Sequence, residues 1–212
     1  MERIAQLAIV ISTVLSSCHT LKEKYLRRKY EIENPKIETS ISLNQFLFET
    51  IKDTSNCYCL SDTVFIQHTK ELYKQHLKGQ RYPQIRCFDN QGKILMQWAT
   101  CEGYLEELEL FKSYPPTNPN NLDTMVTLNL TLNEFRTFQG KKLESINTKW
   151  NNYDMMFVVY YVKYFKGMSQ DALRRVQKYI SAHSDKKIVF VKVSCDVMDF
   201  WKTEVEMNVS VD

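Results

Sequence analysis

The stretch from Asn152 to Asp196 constrains this chain more than any other. Met155 to Val162 is an unbroken run of eight apolar or aromatic residues, rich in β-branched types. A run that short and that apolar suits a strand buried on both faces better than a helix. Ser169 offers a helix N-cap, and Leu173, Val176, Ile180 and His183 then recur at helical spacing, with Arg174, Arg175, Gln177 and Lys178 between them. Ser184-Asp185-Lys186 closes that helix, and Ile188 to Val193 is a second β-branched run. Strand, helix and strand within this distance predict a βαβ unit whose two strands lie parallel.

The remainder reads as more α/β structure. Leu43, Phe46, Leu47 and Ile51 form a helical stripe with Ser42 as a candidate cap, and a second helix is predicted from Asp62, its N-cap, to about Lys78, with Gly79 as its stop. Tyr82 to Trp98 alternates, turns at Asn90-Gln91-Gly92 and alternates again, which predicts an antiparallel hairpin. A helix is expected over Gly103 to Lys112, and a linker over Tyr114-Pro-Pro-Thr-Asn-Pro-Asn-Asn121. Beyond it come an alternating strand at Met125 to Leu130, a hairpin at Gly140 and a closing strand over Val205 to Val211.

Hairpin, buried strand, aromatic loop, helix and strand, in that order, resemble the start of a thioredoxin-like domain of the membrane-anchored TlpA type. Tyr160-Tyr161-Val162-Lys163-Tyr164 resembles that family's aromatic lead-in to Cys-x-x-Cys, and Thr137-Phe138-Gln139-Gly140-Lys141-Lys142-Leu143 its preceding hairpin. Phe165-Lys166-Gly167-Met168 stands where the cysteine motif belongs. Neither Phe165 nor Met168 can form the thiolate that thiol–disulfide exchange requires. The resemblance therefore implies a thioredoxin-like mixed sheet flanked by helices, without the family's redox chemistry. It also makes Tyr82-Pro83 a candidate for the family's cis-proline, cis bonds being almost confined to X–Pro; a trans proline opening an edge strand is the ordinary alternative. The half resembling a thioredoxin C-terminus comes first, so the chain holds either two incomplete α/β units or one permuted sheet.

At the N-terminus, Met1-Glu-Arg3 is a short charged head and Ile4 to Leu15 is mainly apolar. A dozen apolar residues are too few to cross a bilayer core of roughly 30 Å and fit a signal h-region. Leu15-Ser16-Ser17-Cys18 resembles the bacterial lipobox, which makes Cys18 the lipid-attachment site, carrying fatty acyl chains such as palmitate. The expected organisation is a signal over 1–17, a tether over 18–36, an N-terminal α/β region over 37–113, a linker over 114–122 and a thioredoxin-like region over 123–212. The protein is expected in the bacterial cell envelope, lipid-anchored and facing the periplasm or cell surface.

Of six cysteines, Cys57 and Cys59 are the one close pair, a candidate dithiol for an alternative thiol oxidoreductase. The opposing expectation pairs one of them with a distant cysteine such as Cys101. His19, His68, His76 and His183 form no recognisable triad or ligand cluster, and no metal or cofactor motif is present. A net charge of +3, spread along an exported chain, does not indicate a nucleic-acid partner. Three functions remain open: a binding module for a protein or peptide partner, using Tyr164, Phe165, Lys166, Gly167 and Met168; the dithiol enzyme; and a structural accessory of an envelope complex, marked by an apolar surface patch. The first is the leading expectation, with catalysis by thiols its runner-up.

Overall fold

The computed structural model describes residues 27–28, 31–66, 82–99, 113–116, 135–138, 140–141 and 152–201. Within them run, in chain order, helix α1 (Ser40–Ile51), strands β1 (Cys57–Leu60), β2 (Gln84–Asp89), β3 (Ile94–Ala99), β4 (Phe135–Arg136) and β5 (Met155–Tyr161), helix α2 (Lys166–Ala182) and strand β6 (Ile188–Ser194). The class is α/β. The strands form one mixed sheet of order β3-β2-β5-β6-β1-β4. β5, β6 and β1 run parallel, and β2, β3 and β4 pair antiparallel with their neighbours. Strands from before and after the 114–122 segment therefore interleave in a single sheet, and the boundary expected there does not divide it.

The apolar run of β5 is buried at every position, because β5 lies inside the sheet with both faces covered. Met155, Phe157, Val159 and Tyr161 face α1 and α2, which contribute Leu43, Phe46, Leu47, Ala172, Leu173, Val176 and Tyr179. Phe46 stacks on Tyr161 at 5.6 Å between ring centroids, and Tyr179 meets Phe157 edge-on at 5.3 Å. Each such side chain stabilises the fold by about 1.5–3 kcal/mol through burial. Met156, Val158 and Tyr160 point to the second face, with Tyr58, Phe135, Val191 and Val193. Tyr160 and Tyr161 are core residues and are unavailable as contact surface. Lys192 of β6 is fully buried and reaches Asp53, just after α1, at 2.6 Å. Burial alone would raise the Asp53 carboxyl, but hydrogen bonds from Lys192 and Ser55 hold it below the usual value.

Several local expectations are corrected. The cap of α1 is Thr39, not Ser42, since Thr39 Oγ1 accepts the Ser42 amide at 3.1 Å. Helical residues 62–66 begin under Ser61, whose Oγ accepts from the Val64 amide at 3.2 Å, so Asp62 is not the cap. Ser169 is not a cap either. It is completely buried inside α2, where its Oγ donates to the Val162 carbonyl at 2.7 Å and accepts from the Val162 amide at 3.3 Å. A backbone pair leaving the end of β5 has no strand partner there, and the hydroxyl supplies both bonds. β2 is buried at every position except Asp89, because it sits between β3 and β5 and its second face is covered too. Leu95 is the extra residue of a bulge, since Cys87 pairs with Met96 and Phe88 with Ile94. Gly92 takes φ +79° in the β2–β3 turn, where Asp89 Oδ1 accepts from the amides of Gln91 and Lys93. The helix expected over 103–112, the strands expected over 125–130 and 205–211, and most of the helix over 62–78 lie outside the described residues.

Candidate functional site

Parallel strands β5 and β6 finish side by side, with Tyr161 paired to Ser194, and the chain leaving each strand builds the site. Open α/β sheets place their sites at this end of the strands. Lys163, two residues past β5, donates its backbone N–H to both carboxylate oxygens of Asp196, at 3.0 and 2.9 Å. Asp196 Oδ2 also accepts from Ser194 Oγ at 2.9 Å. The Lys163 ammonium points the other way, 2.8 Å from Glu38 Oε2 and 3.1 Å from Ser42 Oγ, and Ser42 in turn hydrogen-bonds Glu38. Glu38 and Asp196 are 6 % and 3 % exposed, so one lysine links two buried carboxylates, one through its main chain and one through its side chain. Burial pushes the Asp196 carboxyl up to about 7; the nearby Glu38 charge adds to the rise, against the hydrogen bonds from Lys163 and Ser194 and the Lys163 charge. The Asp196 carboxyl therefore titrates in the neutral range. It is too enclosed to reach a substrate, so this arrangement latches chain segments together rather than performing acid–base catalysis.

The segment it latches is the N-terminal strap. Ile32 forms an antiparallel bridge with Phe165, and the Glu33 amide donates to the Tyr164 carbonyl at 2.8 Å. Further along, Glu38 bridges Met198 in parallel; its amide donates to Val197 at 2.8 Å and its carbonyl accepts from Asp199 at 3.0 Å. Residues 31–36, expected to be solvated tether, are thus seated on the body at one end.

The expected binding loop lies beneath this strap. Tyr164 and Phe165 contact each other at 4.7 Å between ring centroids and pack toward the second face of the sheet. Burial, followed by the nearby Asp196 and Cys195 charges, lifts the Tyr164 hydroxyl to about 12. Lys166 lies 3.5 Å from Glu31 of the strap, and Gly167 and Met168 are half-buried in the first turn of α2. The Tyr82-Pro83 bond is cis, and the next residue, Gln84, pairs with Tyr160, which puts Pro83 at the same edge of the sheet. Burial and then the Cys195 charge push the Tyr82 hydroxyl well above its ordinary value.

Cys57 and Cys59 are elsewhere. They lie on β1, with β6 and β5 between them and the strand that follows Pro83, a separation of three strand spacings or roughly 14 Å. Among the described residues neither is joined to another cysteine in a disulfide. Burial pushes the Cys59 thiol up to about 12, far from the thiolate range, although the nearby Arg136 charge opposes the rise. Cys18 and Cys101 lie outside the described residues. Among the described residues no three His, Cys, Asp or Glu side chains gather as a metal-binding set, and no helix is long and apolar enough to cross a membrane.

On the outer side of α1, Ile41 and Phe48, two turns apart on one flank, are 78 % and 55 % exposed, and Ile37, just ahead of the Thr39 cap, is 62 % exposed. Sequence reasoning missed Glu38, Lys163, Ser194 and Asp196. The available signal for two of them was position, since Lys163 and Asp196 each follow the end of a buried apolar run. No family model matches the chain, and neither a curated protein nor a solved structure is significantly similar to it.

Proposed function

We propose that the protein is a lipid-anchored envelope protein whose redox-inactive, thioredoxin-like body binds an extended peptide or a partner protein at the loop after β5. One observation supports this above the others. The chain's own residues 32 and 33 are already seated on Phe165 and Tyr164 as an extended segment held by its main chain. A loop that takes one extended segment through backbone groups can take another in the strap's place, with the main-chain hydrogen bonding of β-augmentation. Phe165 and Met168 replace the cysteines of the resembled family at this loop. The interleaved sheet accommodates a permuted order of its two halves. Lipid on Cys18 would hold the body at the membrane.

A second reading, a structural accessory, draws on the exposed Ile41 and Phe48 of α1 and on Ile37 just ahead of it. Site-specific photo-crosslinking in living cells separates the two. A benzophenone side chain at Phe165 or Met168 should capture a protein or peptide that one at the exposed Ser181 of α2 does not capture. Capture only from Ile41 and Phe48 would replace binding at the loop with the accessory role. In the same cells, Cys18→Ala should move the protein from the membrane to the soluble fraction; a variant that stays with the membrane would remove the lipid anchor from the proposal.

A further inference from the structure

Arg86, in the middle of β2, is a buried cation that has no counter-ion among the described residues. It is 7 % exposed, and its side chain enters the second face of the sheet, away from α1 and α2. Its Nη1 donates to the Tyr160 hydroxyl at 3.3 Å, and the guanidinium lies 5.0 Å from that ring's centroid. Its Nε has no hydrogen-bond partner, and among the described residues no carboxylate lies within ion-pair distance of it. Two more orphaned polar atoms flank it. Gln84, two residues earlier on the same face and 3 % exposed, has an unpartnered Oε1. Gln97, whose backbone pairs with Arg86 across β2 and β3, has another.

We propose that Arg86, Gln84 and Gln97 form a binding site for an oxyanion, either a phosphoryl group or a carboxylate. A guanidinium does not lose its proton in a protein, so it cannot escape burial by neutralising, as a lysine or histidine does. An uncompensated buried charge is strongly unfavourable, whereas an oxyanion accepting two N–H bonds from the guanidinium on two of its oxygens satisfies it. The two amides complete the donor set, because rotating an amide end over end exchanges its oxygen for its NH₂. The unpartnered carbonyl oxygens of Gln84 and Gln97 then become N–H donors aimed at the same anion. This site faces away from the helices that flank the Lys163 latch and does not depend on the peptide-binding reading.

The test uses the full chain, exchanged into a buffer free of oxyanions and titrated separately with inorganic phosphate and with acetate up to tens of millimolar. At least one should raise the melting temperature of the wild-type protein and shift the Arg86 Nε–H resonance in nitrogen-edited NMR spectra. A response to phosphate alone assigns the site to phosphoryl ligands, and one to acetate alone assigns it to carboxylates. Arg86→Met should abolish the response, and Arg86→Lys, which keeps the charge without the planar fork, should weaken binding at least tenfold. No shift of the wild-type Arg86 Nε–H signal with either anion overturns the proposal. So does an unchanged thermal response in Arg86→Met. The NMR readout needs no variant, so it decides the matter even where Arg86→Met fails to fold.

Discussion

Replacing Asp196 with asparagine should make the protein more stable at mildly alkaline pH and flatten its pH dependence. Asp196 is 3 % exposed, and its carboxyl is raised from 3.8 to about 7. A raised folded-state value means that the native protein binds this proton more tightly than the unfolded chain does. The stability it contributes is therefore fully present below the unfolded value of 3.8 and is lost as pH rises through about 7. The shift of about three units, at about 1.4 kcal/mol each, sets an upper figure of about 4 kcal/mol. Electrostatic coupling to Glu38 and Lys163 spreads the titration, so about 2–4 kcal/mol is expected across the full range. Asparagine keeps an oxygen for the Lys163 amide and carries no charge to desolvate. The assay is urea denaturation of wild type and Asp196→Asn at about pH 5 and about pH 8, comparing midpoints at constant m. The difference between the two proteins cancels every other group that titrates in that window. Wild type should lose stability from the lower to the higher pH while the variant loses little, and the variant should be the more stable of the two at the higher pH. Equal pH slopes for the two proteins would refute a raised, buried Asp196.

Two further outcomes follow from the same geometry. Lys163→Met leaves Glu38 buried without its cation, and because Lys163 is partly exposed the cost should be about 2–3 kcal/mol rather than the full value for a sealed pair; adding Glu38→Gln should restore more than half of it in urea denaturation, and a Lys163→Met variant as stable as wild type would remove the latch. Cys59, whose thiol is pushed up to about 12, should resist alkylation in the native protein at neutral pH and react only on unfolding, so modification of native Cys59 at the rate of a free thiol would reopen the dithiol alternative.

The βαβ unit was legible because Met155–Val162 and Ile188–Val193 are apolar runs whose length and β-branching leave few other structures open. The hairpin was legible from its turn, but not the burial of its polar residues. Alternation reveals a strand's period and not what covers its second face, so it carries no sign that Gln84 and Arg86 of β2 are buried. Ser169 read as a cap because a hydroxyl ahead of an apolar stripe usually is one. That its partner would be a strand end seven residues upstream is a tertiary fact. The latch was hidden by distance along the chain, since Lys163 meets Glu38 across 125 residues and Asp196 across 33. Each of these residues alone looks like a solvated charge beside a strand. The sharing of one sheet by the two halves depended on β2 choosing β5 as its neighbour, which no local pattern encodes.

The strap also has a mechanical consequence. Among the described residues, a pull on the strap from its N-terminal side loads first the Glu31–Lys166 ion pair with the adjoining bridge between Ile32 and Phe165, and next the bridge between Glu38 and Met198. Two short attachments loaded in sequence give way in turn, unlike a long ladder loaded in shear. The first to yield uncovers the loop after β5, while the second, reinforced by the Lys163 ion pair, still holds the sheet edge together. Tension on the N-terminal segment would thus expose Tyr164 and Phe165 before it threatens the fold.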